Sequence, residues 1–312
     1  MPNTGRGKDA ADALPSNPRA YEAPRCPFAE GTIERWAFDY VTSSDLAHKL
    51  APPDPPRVVD SGATPLRGLR PGRPPELRIV ARAKGPKGKD ALVDRRKRAH
   101  FFHTFFHHEL QAAELMANAL VAFPDAPRSF RGGLVRILFD EVRHMRAYAD
   151  HVRALGESLG AFPVRDWFWE RLGDVASPAS FVAAMGVGFE GGNLDHVSRF
   201  ARSLEDAGDL EGARIVQRVG EEEIVHVRFG LTWLARFAEL SEVTLEAFAA
   251  ALPAPLTPSV MRGPVLDRAA RKRAGYTDSF LDAFEAFSLA HPSGAPSPNA
   301  RPERDVAPTA QG

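Results

Sequence analysis

The chain has 312 residues, with 40 Lys+Arg against 40 Asp+Glu, 44% apolar residues and 26% charged ones. That length can bury a core without staples, and zero formal net charge argues against a protein that works chiefly by wrapping nucleic acid or coating an anionic membrane. One cysteine, Cys26, excludes an intrachain disulfide and any cysteine-built zinc or iron–sulfur site.

The N-terminus lacks the apolar stretch of a signal peptide and no run of 18 apolar residues occurs, so a soluble cytoplasmic protein is expected. Residues 1–28 are polar and proline-rich and read as a disordered tail. Residues 29–94 read as a proline-rich extension whose short helices, over 32–50, pack on a helical bundle C-terminal to them. Eight prolines between 51 and 75 hold that stretch extended or turned. From Lys84 to Arg98 the chain is basic, with seven Lys/Arg, and reads as a solvated lead-in rather than a phosphate-binding patch.

From 95 to about 250 proline becomes rare inside segments and apolar residues recur every three or four positions, the pattern of amphipathic helix. Four long helices are predicted, over about 95–122, 132–155, 178–205 and 210–239. A short one is expected at 166–172 in the longer central connection, and further ones at 241–251 and 277–289. Phe123–Pro127, Gly156 to Pro163 and Ala207-Gly208-Asp209 supply the breaks. The fold class is all-α: a ferritin-like four-helix bundle over 95–290, with the N-terminal extension, short C-terminal helices and a disordered tail at 291–312.

Each long helix carries one glutamate on its apolar stripe: Glu109, Glu141, Glu190 and Glu223. A buried lone carboxylate is expensive without a partner or a metal, and four converging in one core would repel unless cations sat between them. The second and fourth helices read Glu141-Val-Arg-His144 and Glu223-Ile-Val-His226. Residues at i and i+3 share one side of a helix, so both side chains of each pair can reach one ion. Glu109 precedes Glu141 by 32 residues and Glu190 precedes Glu223 by 33, an internal repeat of two helix pairs. Glu, Glu-x-x-His, Glu, Glu-x-x-His is the ligand order of di-iron and di-manganese carboxylate bundles. The expected ligands, and the residues that would carry catalysis, are Glu109, Glu141, His144, Glu190, Glu223 and His226, with two glutamates bridging. Iron, manganese and zinc all suit carboxylate and imidazole.

Glu114 is the alternative ligand on the first long helix, about 140° around from Glu109. His103 and His107 read as supporting or surface residues rather than ligands, and Tyr148 as core packing. Gly186, Gly188, Gly191 and Gly192 crowd Glu190. Because glycine is poor in helices, they suggest a local bulge or room for substrate, or else close helix–helix packing.

At these residues the chain resembles the ferritin-like domain-of-unknown-function family 455, whose wider relatives include the di-iron tRNA hydroxylase acting on modified adenosine. The likeness rests on His107-His108-Glu109-Leu110-Gln111-Ala112-Ala113-Glu114-Leu115 and Glu222-Glu223-Ile224-Val225-His226. It extends to Lys49-Leu50-Ala51-Pro52-Pro53 and to Arg262-Gly263-Pro264 with Ala274-Gly275-Tyr276, spanning about 32–285. It departs at Glu190-Gly191-Gly192-Asn193-Leu194-Asp195, where the family usually reads Glu-Ala-Arg-Gly-Leu-Asp; the glutamate is kept and its surroundings differ.

The resulting expectation is a di-iron (or di-manganese) protein, an O2-dependent oxidoreductase or hydroxylase acting on a small molecule. It would need an external donor, a reductase or ferredoxin-type protein, because no Gly-rich nucleotide loop is apparent. The alternatives are a ferroxidase or iron-handling protein and a tRNA-modifying hydroxylase. A tRNA partner is not favoured, and no membrane is expected.

Overall fold

The computed structural model describes residues 25–60, 62–83, 85–86 and 92–290. The tails expected at 1–28 and 291–312 lie outside the described residues, apart from 25–28, where Phe28 is buried. The described residues are helical, without a named strand; two isolated parallel bridges, Thr32 with Val58 and Ile79 with Val164, are the β-type pairings among them. The all-α class is therefore the observed one, and the four long helical runs expected for a ferritin-like bundle are present.

The described residues divide into two compact units, those within Met1–Val175 and Ser198–Val219, and those within Ala176–Val197 and Gly220–Gly312. In the first, α1 (Ile33–Thr42), α2 (Leu46–Leu50), α3 (Arg95–Ala122) and α4 (Arg128–Ala154) are followed by a single turn, α5 (Trp169–Leu172). Asp94 caps α3 by accepting from Lys97 N, and Phe123-Pro124 ends it. Helix α3 pairs with α4 along its length and carries α1 on another side. It is consequently buried on nearly all faces from Phe101 to Ala122, as expected for a helix with neighbours all around. The extended 51–83 stretch is stitched to these helices by Leu66 N donating to Val121 O and Gly72 N to Val41 O. Helix α4 starts at Arg128, about one turn earlier than its apolar periodicity indicated, because the chain turns at Pro127 and Gly132 and Gly133 lie inside the helix.

In the second unit the third long run is not uniform. It opens as α6 (Pro178–Val182), capped by Ser177, and becomes a π-helix over Ala183–Glu190 before resuming as α7 (Gly191–Asp206). Helix α8 (Leu210–Phe237) follows Asp209, whose carboxylate accepts from Gly212 N. Both α7 and α8 supply residues to each unit. Then come α9 (Leu245–Ala251), a 3-10 turn at Pro258–Val260, α10 (Arg268–Ala274) and α11 (Asp278–Ala290). Helix α10 and the 3-10 turn were not anticipated: each is too short to show a periodicity. Helices α9 and α11 pack on one another, α9 on the π segment and α11 on the 3-10 turn. No helix among the described residues is long and apolar enough to cross a membrane.

Candidate metal centre

The six expected ligands are all buried, Glu109 at 5% exposure and the others at 2% or less. In the first unit, α3 supplies Glu109 and α4 supplies Glu141 and His144, and one donor atom of each lies within 4.8 Å of the others. His144 Nδ1 is 3.3 Å from Glu141 Oε2, as the one-turn spacing demands. In the second unit the π segment supplies Glu190 and α8 supplies Glu223 and His226, again with donor atoms within 4.8 Å of one another. His226 Nδ1 is 3.1 Å from Glu223 Oε2. Two donors about 2.1 Å from one divalent ion and roughly at right angles stand about 3 Å apart. The Glu141–His144 and Glu223–His226 pairs, at 3.3 and 3.1 Å, match that separation, and the third donor of each trio lies within 4.8 Å of both. Each also sets two carboxylates side by side in a buried place, where their mutual repulsion favours a cation. Two oxygens and an imidazole nitrogen suit iron, manganese or zinc.

Glu114 is placed quite differently. It is fully buried, with Lys49 Nζ 2.8 Å from Oε1 and Arg73 Nη1 2.6 Å from Oε2. Lys49 also donates to the carbonyls of Tyr40 and Val41. Arg73 reaches on through Nε to Asp166, 2.9 Å away, and Asp166 accepts from His107 Nε2 at 3.0 Å. Between them Gln111 accepts from Phe168 N and Trp169 N. His107, Gln111 and Glu114 thus form one polar stripe on α3 that fastens residues 49, 73 and 166–169. Burial holds the Lys49 ammonium down to about 8 against the pull of Glu114. Burial also lowers the His107 imidazole, partly offset by Asp166.

His103 and His107 are buried rather than at the surface. His103 Nε2 accepts from Gly160 N at 2.8 Å, and burial pushes the ring down to about 4. Tyr148 is buried against Phe102 and Phe105. In the basic lead-in, Arg95 donates to Ala154 O, Arg96 pairs with Glu157, and Arg98 pairs with Asp209.

The glycines around Glu190 serve both a bulge and close packing. The π register runs through Gly186 and Gly188 and ends at Glu190. A Cβ on Gly186 would meet Gly230 Cα at 3.0 Å, and one on Gly191 would meet Tyr276 Oη at 2.2 Å. Asp195, one turn beyond Gly191, accepts from Gly263 N, Asp267 N and both Nε and Nη2 of Arg271. Periodicity could not reveal Lys49, Arg73, Asp166, Asp195, Arg271 or Tyr276, since each meets its partner only in three dimensions. The family likeness did single out the segments of Lys49 and Tyr276, without a role.

A family model described as "Protein of unknown function (DUF455)" matches residues 32–282, most of the chain. The chain belongs to this family. Searches of curated proteins and of solved structures found no match. The match covers both trios, the Lys49–Glu114–Arg73 network and the segment around Tyr276.

Proposed function

We propose that this DUF455 protein is a di-metal carboxylate oxidoreductase, most simply a hydroxylase that uses two iron or manganese ions and dioxygen on a small organic substrate. The observation that carries the reading is the pair of buried Glu/Glu/His trios, one in each unit, with donor atoms within 4.8 Å in each. Glu109, Glu141 and His144 would hold one ion, and Glu190, Glu223 and His226 the other.

The bound metal would supply dioxygen activation. Hydroxylation consumes one O2, two electrons and two protons, placing one oxygen atom in the product and releasing the other as water. The electrons must come from an external reductase or ferredoxin-type donor. The chain's own part is to hold the ligands in place and keep bulk water out, which the burial of all six serves. In the basic lead-in, Arg98 is held within the fold by Asp209 and is not offered to a tRNA phosphate.

Metal analysis of the purified protein tests the reading: about two transition-metal ions per chain are expected, magnetically coupled if they share one centre. The Glu141→Gln/Glu223→Gln double variant should lose both. Protein that takes up no metal under reducing, iron-replete conditions would end the proposal. Rapid iron oxidation with mineral growth and no organic product would instead favour an iron-storing protein.

A further inference from the structure

A π-helix is rare and marks a place where the ordinary i→i+4 ladder has been displaced by one residue. Here it runs for eight residues, Ala183–Glu190, and its last residue is the second unit's helix-borne carboxylate. The displacement changes the direction in which Glu190 leaves the helix relative to the turns before it. An α register across the same stretch would aim that carboxylate elsewhere.

The register has an external tether. Tyr276 Oη donates to Val187 O at 2.6 Å, inside the π segment. The hydroxyl sits where a side chain on Gly191 would be, so glycine there is what lets the tyrosine approach. Tyr276 is itself fixed. Gly275, at φ +111°, ends α10, and Tyr276 N donates back to Arg271 O. The buried Arg271 guanidinium lies 5.0 Å from the tyrosine ring centre while clasping Asp195. Burial pushes the phenol up to about 12, so it remains a donor at working pH.

We infer that Tyr276 is a positioning residue for the second trio: by holding the Val187 carbonyl it keeps residues 183–190 in the π register and so aims Glu190 at Glu223 and His226. This rests on the di-metal reading for its metal consequences, though not for the register itself. Removing a group that hydrogen-bonds a metal ligand directly typically costs ten- to a hundredfold in affinity; Tyr276 acts one step further out, through the Val187 carbonyl, so the lower end of that range is expected.

The test uses the full-length protein with Co(II) as probe, and compares wild type, Tyr276→Phe and Leu281→Ala. The last cuts the core of α11 without removing a hydrogen bond. In Tyr276→Phe, Co(II) binding should weaken about tenfold, the visible ligand-field spectrum should change, and amide exchange over 183–191 should accelerate at least tenfold. Leu281→Ala should lower the melting temperature and leave the spectrum and that exchange as in wild type. A Tyr276→Phe protein with the wild-type spectrum, affinity and exchange overturns the inference. If wild type binds no Co(II), the di-metal reading fails, and the exchange arm alone decides the register. Should Tyr276→Phe not accumulate, Gly191→Ala displaces only the hydroxyl and must give the same spectral and exchange changes. Adding Phe at 276 should then produce no further change. A Gly191→Ala protein identical to wild type would also overturn the inference.

Discussion

Replacing Glu114 by Gln separates a structural carboxylate from a metal-binding one on the same helix. Glu114 faces two buried cations at 2.8 and 2.6 Å. At an effective dielectric of about 20 each such contact is worth roughly 6 kcal/mol before desolvation is counted. Gln keeps the shape but removes the charge, and if its oxygen accepts from Lys49 its amide N–H group confronts the Arg73 guanidinium. Arg73 keeps Asp166, but leaving the buried Lys49 ammonium without its counter-charge costs about 3–5 kcal/mol, which urea unfolding of the metal-free protein would read. The pH dependence gives a second check. Lys49 is held down to about 8 in the folded chain against an ordinary value of 10.5. The unfolded chain therefore binds the extra proton, and stability rises with pH across that window. Without Glu114 the folded value drops further and the window opens lower, so the variant's deficit should shrink between pH 7 and 9. Metal content should be unaffected, whereas Glu109→Gln should reduce it. A Glu114→Gln cost below about 1 kcal/mol, or metal loss matching that of Glu109→Gln, would refute the assignment of Glu114 to the ion-pair network.

Other outcomes are expected from the same geometry. His103 is held neutral down to about 4, while the unfolded histidine titrates near 6.5. The unfolded state thus takes up the proton first and stability falls as pH drops through 6.5. Relative to His103→Gln, wild type should lose about 2 kcal/mol between pH 7 and 5; parallel profiles for the two proteins would contradict this. Gly230→Ala places a Cβ 3.0 Å from the backbone of Gly186 and Val187. With backbone on both sides, a cost of about 1–3 kcal/mol is expected, and a melting temperature unchanged from wild type would show that the helices separate freely.

The all-α class and the four long helical runs were legible because apolar residues recurring every three or four positions over about 25 residues are a strong signal. Helices α3 and α8 begin where their apolar pattern, and for α8 the Ala207-Gly208-Asp209 break, put them. The six buried Glu and His residues were legible for a related reason. A polar group on an apolar stripe conflicts with its surroundings, and that conflict repeats at nearly equal spacing in two helix pairs. At α3 neighbours on several sides bury Glu109 and Glu114 alike, so the apolar stripe does not tell the two carboxylates apart. Which of two buried carboxylates meets cations depends on Lys49 and Arg73, which lie 65 and 41 residues away in the chain.

The amino-acid pattern determined which apolar helix faces lie inside, with the four glutamates on them, since burial there follows from the local alternation of polar and apolar side chains; it did not mark Lys49, His103 or Arg271 as buried. Tertiary structure alone decided what each buried polar group meets. It set Lys49 and Arg73 on Glu114, put Asp166 on His107, and brought Tyr276 from beyond α10 to the Val187 carbonyl. These pairings close over long loops. They are governed by where the backbone returns, and no pattern within a single helix encodes that.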